Sequence, residues 1–322
     1  MAHPTVLEWL LDSDPAIRWH VLRDLADVPA EVVARERARV GTEGWGARLL
    51  ALQGADGQWD GGALFPAGWR GFGQIEKEGQ PWTATEPTLT LLRELGVDPN
   101  GPHVRRAVAR VRDRCRWEHA GEPFFEGETE PCINGRTVGL GAYFGEDVTG
   151  IVARLLDEQL EDGGWNCEAE NGSVRSSFDT TICVLEGLLE HERATGGTAE
   201  SLAARRRGEE YLLERKLFRR KSTGGVVNRS WLEFSFPTRW HYDVLRGLDY
   251  FRAVGDPPDP RVEEAIELLR SKRQADRTWL LENTHRGKVH FALEDGDGKP
   301  SRWNTLRGLR VLRWQERSEA SS

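Results

Sequence analysis

Apolar residues recur at helical spacing along most of the chain, in stretches that come in pairs. Within residues 152–188, one such stretch includes Leu155 and the next includes Leu188. Between them, Asp162-Gly163-Gly164 interrupts the pattern, because glycine is costly inside a helix. The pattern therefore predicts a helical hairpin, which is two helices joined by a turn and a polar loop.

The same hairpin pattern recurs along the chain, as it does in repeat proteins. Gln53 lies six residues before Trp59 and Gln159 lies six residues before Trp165, with an Asp-Gly turn in both intervals. A third, degraded copy ends at Trp279, with a basic residue in place of the turn glycine. The helices predicted at matching places without this signature are 104–111 and 209–217. These elements together predict an array of about five to six hairpins.

The second helix of each hairpin begins with a cluster of polar and aromatic residues and then becomes apolar. Such a helix is expected to pack on several sides. The clusters are Trp82–Pro87, Glu130–Cys132, Ser177–Asp179, Arg239–Asp243 and Arg302–Asn304. An array that closes on itself places these clusters around one mouth of a central cavity. We therefore predict an all-α fold in which the hairpins form a closed array.

Helices are also predicted before the repeat, at Val6–Leu11, Pro15–Leu25 and Ala30–Val40. Pro15 directly follows Asp14, and proline is favoured at the first position of a helix. We assign residues 1–43 to helices that pack on the repeat domain, 44–316 to the repeat domain and 317–322 to a disordered tail.

Charge and composition narrow the classes of function. The net charge of -8 disfavours nucleic acid as a general partner. The mean hydropathy of -0.58 predicts a protein with no transmembrane segment. The four cysteines lack CxxC spacing, which argues against a disulfide scaffold. Acidic residues interrupt the short apolar run near the N-terminus, so we expect no signal peptide and a cytoplasmic protein.

The glutamine-tryptophan stretches at 53–59 and 159–165 resemble the QW repeat of squalene-hopene and oxidosqualene cyclases. The paired helices resemble the α/α toroid that these cyclases share with protein prenyltransferase β-subunits. The resemblance extends from about Gly44 to Trp314. It implies a toroid whose central cavity takes a small, largely apolar molecule. No Arg/Lys cluster for a diphosphate aligns, so we expect no prenyltransferase α-subunit as a partner.

The cyclase resemblance also identifies a missing group. Class II cyclases carry a DxDD motif whose central aspartate donates a proton. The matching residues here are Ser176-Ser177-Phe178-Asp179, so Phe178 stands at the proton-donating position. Ordinary class II cyclisation is therefore not expected, and Asp179 remains as a candidate catalytic acid.

The prenyltransferase resemblance implies a zinc site at the same helix ends. Glu130 and Cys132 match the family's aspartate and cysteine ligands, and Asp179 stands in place of its histidine. Zinc accepts thiolate, carboxylate and imidazole, so His241 is an additional or replacement ligand. We predict Cys132, Asp179 and His241 as metal ligands and Asp179, His241 and Glu130 as catalytic residues. The alternative is that Cys132 is a small buried side chain and that Glu130 and Asp179 are helix caps.

Substrate-binding residues are predicted at the starts of the second helices. They are Trp82, Glu86, Phe178, Arg239, Trp240, Asp243, Trp303 and Asn304. Aromatic faces attract cations, and arginine binds carboxylate or phosphate. The same residues are equally suited to core packing and local ion pairs.

Three hypotheses of function follow. The first is an enzyme of the terpenoid cyclase or prenyltransferase type, and the second is a zinc-dependent enzyme with a non-isoprenoid substrate. The third is a toroid that binds a small molecule without catalysis. We expect an enzyme.

Overall fold

The computed structural model describes residues 5–69, 71 and 73–320, with Gln74 described by its backbone only. These residues are mostly helical, so the predicted all-α class is confirmed. The α-helices are α1 (Val6–Leu11), α2 (Pro15–Asp24), α3 (Ala30–Val40), α4 (Gly44–Ala51), α5 (Gly73–Glu78), α6 (Thr85–Leu95), α7 (Pro102–Arg114), α8 (Pro131–Phe144), α9 (Thr149–Asp157), α10 (Phe178–Thr195), α11 (Ala199–Leu213), α12 (Val244–Val254), α13 (Glu263–Ser271) and α14 (Arg302–Glu319).

Short elements lie in the loops between these helices. The 3₁₀ turns are Phe124–Glu126, Cys167–Ala169, Arg229–Leu232 and Pro260–Val262. The strand β1 (Trp279–Leu280) pairs antiparallel with β2 (Pro300–Ser301), with Trp279 opposite Ser301. None of the helices among the described residues is long and apolar enough to cross a lipid bilayer.

Most helix positions agree with the sequence pattern, and one does not. The helices α1 and α3 have the predicted bounds, and α2 ends one residue early. The bounds of the helix predicted around 209–217 are wrong, because α11 runs from Ala199 to Leu213. It starts after Thr198, whose hydroxyl accepts a hydrogen bond from Ser201 N at 3.1 Å. It stops before Lys216 and Leu217, whose positive φ angles of 45° and 67° turn the chain away.

The chain forms two compact units. The first unit comprises Met1–Glu36, Glu210–His285 and Leu293–Ser322, and the second comprises Arg37–Glu209 and Arg286–Ala292. In the first unit, α14 packs against α12, α13 and α2. In the second unit, α6 packs against α8 and α8 packs against α10, so second helices of consecutive hairpins are neighbours.

The closest helix packing in the second unit joins α8 and α10. Gly187 of α10 lies against the backbone of Gly135 in α8, where a Cβ atom would collide with the Gly135 carbonyl. A Cβ atom on Gly135 would lie 2.6 Å from Val184 Cα. The absence of side chains at these two positions therefore lets the two backbones touch and brings α8 and α10 close together.

The tryptophans of the repeat turns share one set of hydrogen bonds. Each indole Nε1 donates at 2.7 Å to the carbonyl oxygen ten residues earlier, from Trp59 to Leu49, Trp165 to Leu155 and Trp279 to Leu269. Each tryptophan backbone N–H donates to a threonine hydroxyl in the second helix, with distances of 3.2 Å to Thr85, 3.1 Å to Thr181 and 2.9 Å to Thr305. All three rings are buried. The tryptophan thus fixes the turn to both helices of its own hairpin.

The glutamines link neighbouring hairpins of the second unit. Gln53 Nε2 donates to Gly57 O and to Ala107 O in α7, both at 2.9 Å. Gln159 Nε2 donates to Gly163 O at 2.6 Å and to Ala204 O in α11 at 2.8 Å. One side chain therefore closes its own turn and also attaches the first helix of the next hairpin.

Candidate functional site

A group of metal-ligand side chains lies at the start of α8 in the second unit. The ligand atoms of Glu130, Cys132 and Cys167 all lie within 4.8 Å of one another. Cys132 Sγ donates to Glu130 Oε2 at 3.5 Å. Across the described ranges, no other group of three histidine, cysteine or acidic side chains meets this distance. We call these three residues the thiol cluster.

The local sequence explains why Glu130 and Cys132 lie on one side. Pro131 begins α8 and Glu130 occupies the position just before it, so Cys132 lies in the first helical turn. The Glu130 side chain makes no capping hydrogen bond to the helix. It is exposed and reaches Cys132 instead. The interpretation of Glu130 as a helix cap is therefore not supported by its contacts.

Cys167 reaches the thiol cluster from the loop that follows Trp165. Asn166 starts a 3₁₀ turn at Cys167–Ala169 by accepting a hydrogen bond from Glu168 N at 3.0 Å. The sulfur of Cys167 lies 3.4 Å from Thr180 Oγ1 in the first turn of α10. Because Trp165 is fixed in the core, a residue two positions later has little freedom. Sequence reasoning missed Cys167, although its closeness to the repeat tryptophan was a usable signal.

The electrostatic environment of the cluster keeps Cys132 protonated. The neighbouring Cys167 thiol, burial and the negative charge of Glu130 raise the pKa of the Cys132 thiol well above its ordinary value. Cys183, which is buried in α10, acts in the same direction. Groups that would repel one another as anions are thus held together, and a bound divalent cation would convert this repulsion into attraction.

The predicted metal ligands do not form one group in the structure. Cys132 belongs to the thiol cluster, whereas Asp179 lies in the first turn of α10 outside it. His241 lies in the first unit. The helix cap of α10 is Ser177, whose hydroxyl accepts from Thr180 N at 3.3 Å. The structure therefore offers Glu130, Cys132 and Cys167 as the candidate metal ligands.

The position of the missing cyclase acid is apolar in the structure. Phe178 is only 4% exposed at the start of α10. Ser176 binds the carboxylate of Asp162, and Ser177 caps the helix. The side chains at the matching positions are therefore used for local structure, and the buried Phe178 ring has no proton to donate.

A cavity of about 710 Å³ lies beside the thiol cluster in the second unit. Cys167 and Pro131 line it, together with His119, Arg154 and Glu158. Burial raises the pKa of Glu158, and its Oε2 atom is buried without a hydrogen-bond partner in the described part of the chain. The cavity therefore offers a thiol, a carboxyl group that holds its proton more readily than usual, and the guanidinium group of Arg154.

The two predicted binding residues at the start of α6 are occupied by contacts within the second unit. Glu86 is 0% exposed and forms an ion pair with Arg136, and Thr90 donates to its Oε1 atom at 2.8 Å. Trp82 is buried, and its indole Nε1 donates to Arg286 O at 3.2 Å. These contacts give both side chains structural roles.

Three predicted binding residues, Arg239, Trp240 and Asp243, and the predicted catalytic residue His241 lie just before α12 in the first unit. The ring of His241 stacks on Trp240 at 3.7 Å and on His285 at 3.9 Å between centroids. Asp243 caps α12 by accepting from Arg246 N at 2.7 Å. Arg239 is buried and has a positive φ of 58°, which is uncommon for a residue with a side chain.

Trp303 and Asn304 at the start of α14 are core residues of the first unit. Trp303 is 2% exposed and stacks on Phe236 at 4.3 Å. Asn304 Nδ2 donates to Leu280 O at 3.0 Å and to Phe234 O at 3.2 Å. Their contacts support packing and the attachment of loops to α14.

Ser235 and His285 join the Asp243 region and were missed by sequence reasoning. Ser235 Oγ lies 2.8 Å from Asp243 Oδ2 and 3.2 Å from His285 Nε2. Both residues lie in long loops, where no hydrophobic period indicates which side chains meet. The spacing of residues in the sequence held no signal for this contact.

Comparison with known proteins gives limited further information. No protein-family model and no curated protein matches the chain. Among solved structures, the chain is similar to a type II terpene cyclase from Scytonema, determined in complex with geranylgeranyl dihydroxybenzoate. The two are 14% identical, with a TM-score of 0.38, over 96% of this chain and 88% of the other.

Proposed function

We propose that this chain is a zinc-dependent enzyme that acts on a small molecule in the cavity beside Glu130, Cys132 and Cys167. The observation that supports this proposal is the convergence of two thiols and a carboxylate within 4.8 Å of one another. The alternative of a non-isoprenoid substrate is favoured over a wholly apolar one, because the charged residue Arg154 and the carboxyl group of Glu158 line the neighbouring cavity.

The donor set suits zinc in type and spacing. Thiolates prefer soft or borderline cations such as zinc over magnesium or calcium. Zinc with sulfur bonds of about 2.3 Å and a tetrahedral arrangement requires sulfur atoms roughly 3.8 Å apart. The ligand atoms of the thiol cluster lie within 4.8 Å of one another, so small movements of the side chains bring them to that separation. Three protein ligands also leave one position for water or substrate, as in catalytic zinc sites.

Side chains of the chain itself would position the substrate and move a proton. Bound zinc would supply Lewis acidity and a nucleophile of lowered pKa. Thr180 holds Cys167 in place through its hydroxyl group. Glu158, whose pKa is raised by burial, lies at the cavity wall and is the carboxyl group we assign to proton exchange with the bound molecule.

Metal analysis of protein purified without added zinc tests this proposal. We expect about one zinc ion per chain, and loss of most of it in Cys132→Ala and Cys167→Ala. Cys115→Ala is the matched control, because Cys115 is buried elsewhere and its thiol donates to Gln58 Oε1 at 3.4 Å. Zinc-free protein that also fails to take up added zinc would contradict the proposal, as would full zinc content in Cys167→Ala.

The second candidate is a terpenoid cyclase or prenyltransferase type protein that binds a largely apolar molecule in a central cavity. The apolar Phe178 at the position of the cyclase acid favours binding without class II chemistry. Farnesol is a suitable probe, with detection by native mass spectrometry. Binding of farnesol by protein without zinc would support this candidate over the first, and turnover would distinguish an enzyme from a non-catalytic binding protein.

A further inference from the structure

A chain of hydrogen bonds in the first unit ends on a histidine. Asp243 Oδ2 accepts from Ser235 N at 3.1 Å and from the Ser235 hydroxyl at 2.8 Å. The other carboxylate oxygen accepts from Arg246 N at 2.7 Å. Ser235 Oγ also lies 3.2 Å from His285 Nε2. Asp243 thus holds Ser235 in place, and Ser235 in turn contacts the imidazole ring.

The chemistry of the three groups fixes the direction of these bonds. A carboxylate only accepts hydrogen bonds, so the hydroxyl hydrogen of Ser235 points to Asp243. The lone pairs of the Ser235 oxygen are then left to accept, and the hydrogen between Ser235 and His285 belongs to the imidazole. This assignment places the ring proton on Nε2.

The His285 ring is neutral near pH 7. Burial lowers the pKa of His285 to about 4, and the positive charges of Arg239 and Arg246 act in the same direction against Asp243 and Asp297. A neutral ring with its proton on Nε2 has a lone pair on Nδ1. That nitrogen has no hydrogen-bond partner among residues 5–69, 71 and 73–320. His285 is therefore an acceptor with one side unused.

The surroundings of His285 limit what this acceptor can bind. His241 stacks on the His285 ring at 3.9 Å, so a ligand meets the ring at its edge, where the lone pair lies. Arg239 and Arg246 supply positive charge near the ring and Asp243 and Asp297 supply negative charge, so the surroundings select no charged ligand of either sign. An uncharged hydroxyl donates a hydrogen bond to the lone pair without depending on these charges. Trp240, stacked on His241 and only partly buried, offers an aromatic surface to the rest of such a ligand.

We propose that His285, held by Ser235 and Asp243, forms a second small-molecule site that binds an aromatic alcohol of the phenol type through its Nδ1 atom. The phenol hydroxyl donates to Nδ1, and its ring lies near the Trp240–His241 stack. This site lies within the first unit and does not depend on zinc at the thiol cluster.

Nitrogen NMR of full-length protein labelled with ¹⁵N-histidine tests the site, with phenol as the probe. The free protein should show His285 with a protonated Nε2 and an unprotonated Nδ1 at neutral pH. Addition of phenol should move the Nδ1 signal in the direction of hydrogen bonding. Anisole has the same ring without a donor, so it should not produce this shift.

Variants identify the signal and test the role of Ser235. The signal should disappear in His285→Gln and persist in His103→Gln, since His103 is exposed on α7. Ser235→Ala removes the acceptor that fixes the Nε2 proton and should weaken phenol binding about fivefold to tenfold, as expected for one hydrogen bond. The proposal is overturned by a proton on Nδ1 in the free protein, by equal shifts with phenol and anisole, or by unchanged phenol binding in Ser235→Ala.

Discussion

Trp165 and Trp279 make the same hydrogen bonds to the two helices of their own hairpins, but the residues six positions before them differ. Gln159 attaches the Trp165 turn to α11, whereas Arg273 occupies the corresponding place before Trp279. Arg273 is exposed, and its guanidinium group lies over the Trp279 ring at 5.5 Å. The comparison shows that the tryptophan builds the hairpin and that the glutamine joins one hairpin to the next.

A second difference concerns the turn residue itself. Gly163 has a φ of 96°, and a Cβ atom there would lie 2.6 Å from Arg207 O in α11. Arg277 takes the corresponding place before Trp279 with a φ of 69°. The backbone conformation of the turn is therefore kept even where the residue is not glycine. At Gly163 it is the close approach of Arg207 O that leaves no room for a side chain.

Removal of the shared tryptophan has the largest expected effect. Trp165→Ala leaves a cavity and removes the indole hydrogen bond, so we expect the free energy of unfolding to fall by about 3–5 kcal/mol. Trp279→Ala makes the same change in the other turn and should cost a similar amount. Urea denaturation followed by circular dichroism measures both. A loss below about 1 kcal/mol in either variant would show that the shared bonds do not stabilise that turn.

Removal of the glutamine should lower stability more than removal of the arginine at the corresponding place in the other turn. Gln159→Ala removes the bonds to Gly163 O and Ala204 O, and we expect a loss of about 1–3 kcal/mol. Arg273→Ala removes only a surface contact with an aromatic ring and should cost less than about 1 kcal/mol. The same denaturation experiment applies, with Gln53→Ala as a repeat of the test in the first turn. Equal losses for Gln159→Ala and Arg273→Ala would remove the distinction between them.

Exchange of the turn residues should change stability least, and in opposite directions in the two turns. Arg277→Gly relieves a left-handed conformation, so we expect stability to rise by up to about 1 kcal/mol. Gly163→Ala introduces strain and a contact with Arg207 O, so stability should fall. Melting temperatures of the two variants measured side by side provide the test. A loss of stability in Arg277→Gly would mean that the arginine side chain contributes more than its backbone strain costs.

The sequence predicted the parts of the fold that depend on local pattern. The spacing of Gln159 and Trp165 marked a turn, and Asp14 before Pro15 marked the start of α2. The bounds of α11 were wrong because its start after Thr198 and its end before Lys216 depend on turn conformations that apolar spacing does not report. Local chemistry was therefore more informative at some helix ends than hydrophobic period alone.

The candidate site was predicted only in part, because its residues come from separate segments. Glu130 and Cys132 are close in sequence and were found together. Cys167 was missed, since only the path of the loop after Trp165 brings it to them. Glu86 was predicted to bind substrate, but it forms an ion pair with Arg136 of another helix. The apolar spacing of the two helices does not indicate that these side chains meet.

The contact between Gly135 and Gly187 makes Gly187 intolerant of substitution for folding, in contrast to the exposed Glu130. Any side chain at Gly187 meets the backbone of Gly135, so a library screened for folding alone would retain only glycine there. Exposed Glu130 would accept many residues in the same screen. A screen for metal uptake would retain few residues other than glutamate at position 130, and it would still retain only glycine at position 187. The two screens together would therefore distinguish the residues that hold the helices from those that use the space between their ends.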